Sequence, residues 1–257
     1  MSLRVIIMKA LITGASSGIG YSMAKYFNQL GIDLVLVGRN KEKLEELQSE
    51  LKVNSKIVIA DLKDINKVKD LYILTRSDDI DILINNAGFG LFGEFYNTDL
   101  NKELEMIDTN IIAVHLLTKL FLKDMKKRNS GYIMNVASSA AFGPGPLMAT
   151  YYATKAYVNN LTEAINEELR RENSNVLVSS LCPGPVETNF NNVAGVSFKV
   201  KPLSSDYVAK YAIDMMFKGK VVIVPGLLMK FTLFIRRFAP RSLIRKITYN
   251  IQKSKSS

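Results

Sequence analysis

The segment TYYATKAYVNNL, residues 150–161, carries two adjacent tyrosines and a lysine. Tyr151 and Lys155 are four residues apart, so on a helix they share a face. A phenol beside an ammonium group can move protons. A free tyrosine ionises at about pH 10, and a nearby positive charge favours phenolate and brings exchange closer to neutrality. The same spacing also occurs in helices whose tyrosines and lysines only face water. The pair alone leaves both readings open.

A second group of residues suits an anion. TGASSGIG, residues 13–20, follows one apolar run and precedes a helical one. Gly14, Gly18 and Gly20 allow a tight turn and let backbone N–H groups approach a pyrophosphate at a helix N-terminus. Ser16 and Ser17 add hydroxyl donors. A turn that merely joins strand to helix is the plainer alternative. The next apolar run ends in Gly38, Arg39 and Asn40, with no carboxylate to bond a ribose diol. A guanidinium can instead take a 2′-phosphate in a forked pair, so Arg39 points to NADP(H). A solvated loop residue is the competing reading, and Lys43 is either an assistant or a surface charge. Asp61 could accept from an adenine amino group with Leu62 beside the ring, or cap a helix. Asn86, Ala87 and Gly88 end a further apolar run, where small residues let a cofactor lie against the backbone.

These residues need a frame. Short runs rich in Val, Ile and Leu recur at 9–13, 33–37, 56–60, 81–85, 131–136, 175–181 and 220–224. They do not alternate with polar residues, as expected of strands buried on both faces. Helical patterns fall between them, at roughly 18–30, 41–52, 64–76, 100–127, 151–172 and 204–217. The alternation predicts an α/β fold, a parallel sheet covered by helices on both faces. The 257 residues are 47% hydrophobic and 23% charged, which suits one domain over 1–226 with an extension over 227–257.

TGASSGIG, Asp61-Leu62, NNAG, Asn110, NVASS, YYATK and PGPVET stand in the order and spacing of one family. Over residues 9–225 the chain resembles the short-chain dehydrogenases/reductases. The resemblance implies a single doubly wound Rossmann-type domain with a mostly seven-stranded parallel sheet. It implies hydride transfer between NADP(H) and a carbonyl or alcohol substrate. The family's tyrosine lies four residues before its lysine and thirteen after a serine, so Tyr151, Lys155 and Ser138 match, while Ser139 and Tyr152 do not. Asn110 matches the asparagine that completes the tetrad and holds a water. By the same resemblance Ile19 joins the glycine loop in binding the cofactor. Pro183 and Gly184 shape a turn beside the nicotinamide, and Val186 and Thr188 bond its carboxamide. Residues 189–203 would cover the substrate. A catalytically silent nucleotide sensor on the same fold is the alternative, and a homodimer or homotetramer is the expected assembly.

Other residues carry less. His115 lies in an apolar helical stretch and reads as packed or hydrogen-bonded. Cys182 reads as a small buried residue. One His and one Cys give no expectation of a metal site. A single cysteine, and an N-terminus that runs straight into a strand with no leader pattern, favour a cytoplasmic setting. The formal charge of +10 is unevenly placed. Asp214 is the last acidic residue, and ten basic residues follow it. A neutral body with a basic tail does not suit nucleic-acid binding. The tail mixes apolar and basic residues at helical spacing, with Pro240 dividing two candidate helices. Its apolar face would cover the pocket or a partner subunit, the preferred reading, or make peripheral contact with an anionic membrane.

Overall fold

The computed structural model describes residues 8–188, 190 and 202–254. Its sheet is built from β1 (Lys9–Thr13), β2 (Asp33–Gly38), β3 (Ser55–Ile59), β4 (Ile82–Asn85), β5 (Gly131–Val136), β6 (Val176–Leu181) and β7 (Val222–Ile223). Every pairing is parallel, in the order β3-β2-β1-β4-β5-β6-β7. Ile12 stands beside Leu36 on one side and Ile84 on the other. The order reverses between β1 and β4. A doubly wound sheet opens a crevice there, at the C-terminal ends of its strands.

Successive strand residues face opposite sides, so each strand feeds two cores. Ala10, Ile12, Leu34 and Leu36 face α1 (Gly18–Gln29), α2 (Lys41–Ser49) and α7 (Ser205–Phe217). Leu11, Val35, Val37 and Ile133 face α3 (Ile65–Thr75), α5 (Val114–Arg128) and α6 (Ala149–Arg171). Apolar runs without alternation are what such two-sided burial requires. Phe27, on the inner face of α1, is fully buried, and truncating it to Ala would cost about 3–5 kcal/mol. Asn40, Asp64, Asp99 and Ser204 accept backbone N–H groups at the starts of α2, α3, α4 (Leu100–Ile107) and α7. Such caps stabilise by about 1 kcal/mol each. Asp64 therefore does the capping that was one alternative for Asp61.

The sequence pattern reads one helix over 100–127, and the structure differs there. α4 ends at Ile107, and Asp108–Ala113 winds as a π-helical segment before α5 resumes. Apolar spacing does not register the change, because both halves keep one face inward. Asn110 sits in that segment, fully buried. After β7 the chain forms α8 (Leu227–Arg236) and α9 (Arg241–Lys253), with Pro240 immediately before the second. Most of the stretch at 189–203 lies outside the described residues.

Candidate active site

The glycine loop closes on the start of the β4–α4 connection. Gly14 and Gly18 take φ of 66° and 57°, a region that L side chains rarely adopt. A Cβ on Gly20 would collide with the Gly14 carbonyl oxygen and come within 2.5 Å of Asn86 Nδ2. Bare backbone is thus required at both ends of the turn. Thr13 is the hub: its Oγ1 accepts from the backbone N–H groups of Asn86 and Ala87, at 2.9 and 3.0 Å. Asn86 Nδ2 donates back to the carbonyls of Thr13 and Gly14, at 2.9 and 3.1 Å. The Asn86 side chain therefore clamps the loop. Thr13 and this clamp are not distinguished by the motif spacing, although Thr13 directly precedes the first glycine.

Ser17 is the N-cap of α1, yet its hydroxyl makes no capping bond, and it is exposed. Ile19 is partly buried in the same first turn. Ser16 lies beside Gly38, at the end of β2, and the next residue, Arg39, is exposed. Asp61 is half-buried at the end of β3, and Leu62 is buried against the core. A cradle of glycine backbone, free hydroxyl and helix N-terminus fits a nucleotide pyrophosphate, with Arg39 at the rim.

Tyr151 and Lys155 occupy one face of α6, with Lys155 Nζ 5.9 Å from the Tyr151 ring centre. Lys155 Nζ donates to the Val136 carbonyl at the end of β5, at 2.8 Å. Ser138 lies two residues beyond the end of that strand, caps a short 3-10 turn and accepts from Ala140 N–H at 3.1 Å. Burial pushes the Tyr151 phenol up to about 12, and a hydrogen bond from Ser138 partly offsets it. Burial also pulls Lys155 down to about 8. Loss of solvation is the largest influence on the phenol, while the Lys155 ammonium is held by the Val136 carbonyl.

Asn110 is tied in on the other side. Its Oδ1 accepts from Phe89 N–H at 3.1 Å, and its Nδ2 donates to the Phe89 carbonyl and Thr154 Oγ1, at 2.9 and 3.1 Å. The side chain braces the β4–α4 connection. A Cβ on Gly88 would lie 2.8 Å from Asn110 Oδ1 and 3.3 Å from Lys155 Nζ, so only glycine lets these segments meet. Below them, Asn85, Thr118, Asn135 and Thr162 form a buried hydrogen-bonded chain between β4, β5 and the two helices. Nothing in their spacing announces it.

The segment after β6 completes the rim. The Pro183 carbonyl accepts from Ser139 N–H at 2.8 Å. Val186 bridges to Leu203, and Thr188 packs on Gly18. Phe190 lies 5.3 Å from the Tyr151 ring, beside Met148, Phe89 and Leu91. Tyr152 points elsewhere: its Oη accepts from Gln252 Nε2 of α9 at 2.6 Å. Cys182 is buried, and its thiol is pushed up to about 11 by desolvation. His115 is exposed rather than packed, with Nδ1 2.8 Å from Tyr157 Oη.

The family model for short chain dehydrogenases matches residues 8–195. An uncharacterised oxidoreductase of Staphylococcus epidermidis is 36% identical over 181 residues, which are 70% of this chain and 78% of that protein. A very-long-chain 3-oxoacyl-CoA reductase of Anas platyrhynchos is 32% identical over 211 residues, covering 77% and 66%. A short-chain dehydrogenase from Sphingobium yanoikuyae, solved with NADPH, is 30% identical with a TM-score of 0.82 over 93% and 95% of the two chains. A Burkholderia phymatum dehydrogenase/reductase solved with NAD shows the same fold, at 24% identity and a TM-score of 0.82 over 93% and 95%.

Proposed function

This chain belongs to the short-chain dehydrogenase/reductase family of oxidoreductases, and from that premise we propose that it interconverts a hydrophobic carbonyl compound and its alcohol with NADP(H). The observation that carries the reading is the convergence of Ser138, Tyr151 and Lys155 at the C-terminal ends of the strands, beside a glycine cradle.

When bound, the nicotinamide supplies or accepts the hydride. In reduction, negative charge grows on the substrate oxygen as its carbon gains hydride. Tyr151 Oη gives that oxygen its proton, and the Ser138 hydroxyl donates a hydrogen bond to it. Burial keeps Tyr151 protonated at neutral pH, which suits an acid. Lys155 stabilises the phenolate at the moment it forms, when the attraction between the two charges is greatest. Asn110 is a positioning residue that holds Gly88 and the Lys155 helix in contact. Gly14, Ser16, Ser17, Gly18, Ile19 and Gly20 hold the pyrophosphate, Asp61 and Leu62 the adenine, and Asn86, Ala87 and Gly88 the backbone wall. Pro183, Gly184, Val186 and Thr188 orient the nicotinamide ring.

Arg39 and the lack of a carboxylate at the end of β2 support NADP(H). The apolar surround of Tyr151, made by Phe89, Leu91, Phe92, Met148 and Phe190, supports a hydrophobic substrate. The relative named as a very-long-chain acyl reductase supports it too. Residues 1–226 would form the catalytic unit, working in the cytoplasm as a homo-oligomer. The silent-sensor alternative has no feature of its own in this site.

The test is oxidation of NADPH, with NADH in parallel, against carbonyl compounds from short ketones to long acyl substrates. Tyr151→Phe is expected to lower turnover about a thousandfold while NADPH affinity stays within a factor of about two. Undiminished turnover would overturn the assignment. Arg39→Ala should weaken NADPH about tenfold and leave NADH unchanged.

A further inference from the structure

α8 and α9 each present two unlike faces. The inner face of α8 carries Met229, Leu233 and Arg236, all partly buried. Met229 packs on Gly184, and the Arg236 guanidinium lies against Gly143. α9 turns Ile244, Thr248 and Gln252 inward, four residues apart, and Gln252 is bonded to Tyr152. Lys230 Nζ donates to Tyr211 Oη on α7 at 2.8 Å. These contacts fix the attitude of both helices, so the opposite face is displayed outward.

That outer face is apolar, against the sequence reading in which the apolar side covers the pocket. Leu227 is 82% exposed, Phe231 60%, Phe234 57% and Phe238 76%, with Leu228 and Ile235 beside them. Leu243, Ile247 and Ile251 form an exposed stripe along α9. Contiguous exposure of this kind marks a surface that meets something other than water. The charge around it selects what. Residues 227–257 hold eight basic side chains and no acidic one. Arg237, Arg241, Arg245 and Lys246 are exposed among the apolar residues.

We propose that α8 and α9 dock the protein on the surface of an anionic bilayer. The apolar stripes would enter the boundary between headgroups and acyl chains, and the basic residues would meet lipid phosphates. A second copy of this chain fits poorly, because it would set eight positive charges against eight. Spanning is not involved: the helices have ten and thirteen residues, and no described helix is long and apolar enough to cross a membrane. Gly184 and Tyr152 lie under the same two helices. On the proposed reductase reading, docking would therefore bring the site to the phase in which hydrophobic carbonyls partition. The docking itself stands independently of that reading.

The experiment is sedimentation of the full chain with vesicles of phosphatidylcholine alone or mixed with phosphatidylglycerol, without any turnover assay. Binding to the mixed vesicles at least tenfold tighter than to neutral ones, and weakening with salt, is expected. Phe231→Ser/Phe234→Ser/Phe238→Ser should lose at least tenfold in binding, and Arg237→Gln/Arg241→Gln/Arg245→Gln should lose the preference for anionic lipid. Failure of the native chain to bind mixed vesicles would overturn the proposal. So would full binding by the triple-Ser variant with a native melting curve. A dimer in sedimentation velocity that this variant abolishes would assign the face to a second copy instead.

Discussion

The nucleotide end and the C-terminal helix pair solve the burial of polar groups in opposite ways. Around the glycine loop, Thr13, Asn86, Asn110 and Thr154 are tied to one another or to backbone. In the helix pair, Arg236 Nε and Nη2 and Gln252 Oε1 are buried with no partner among the described residues, as is Asn85 Oδ1 alone elsewhere. A fully bonded polar network holds one geometry, whereas orphaned groups cost stability. The difference teaches where this fold can vary. The cradle must reproduce its backbone positions, while the helix pair is joined to it by a few side-chain contacts.

The comparison breaks most readily at the cradle. Gly20→Val should weaken NADPH at least a hundredfold in a fluorescence titration, because a side chain there meets the Gly14 carbonyl and the Asn86 clamp. Native affinity in that variant would mean that the loop is not held as described.

Lys155 offers a second, smaller lever. Its folded pKa of about 8 lies below the ordinary 10.5, so between those values the unfolded chain binds the proton more tightly. Stability contributed by the neutral amine is therefore gained as pH rises through that window. Below it, the buried cation costs the fold on the order of 3 kcal/mol. Lys155→Met should be more stable than the native chain by about that amount at pH 7, with the gap closing towards pH 10.5. Denaturant melts across the range check this, and a gap independent of pH would refute it.

The smallest effect belongs to the helix pair. Arg236→Met removes the unpartnered guanidinium nitrogens and keeps the packing on Gly143, so stability should rise by about 1 kcal/mol with NADPH affinity unaltered. A loss of stability would show that the two regions are alike after all.

Much of the fold was legible because its signals are local. Apolar runs gave the strands within a residue or two, except β7, which keeps only Val222–Ile223 of the five-residue run. The glycine loop and the Tyr151–Lys155 face were legible because backbone sterics and helical spacing leave marks in the sequence. The Asn85–Asn135 chain was not, since it joins residues fifty apart in sequence across neighbouring strands. Nor was the sense of the tail. Spacing identified two amphipathic helices, but which stripe faces the body depends on Gly143, Gly184 and Tyr152, which are far away in the chain. The surroundings of Tyr151 were hidden for a related reason: proximity to Lys155 can be read from spacing, but burial by Phe190 and Met148 cannot.

The π-helical segment at Asp108–Ala113 acts as a one-residue insertion in the phase of a helix. An α-helix advances about 100° per residue, so a regular α4–α5 rod would carry one residue fewer at the same end points. Deleting Ile111 would smooth the rod, and it would swing Asn110 about a quarter-turn away from Phe89. Homologous chains that align here with a single gap would therefore differ in the orientation of that brace, even where the asparagine itself is kept.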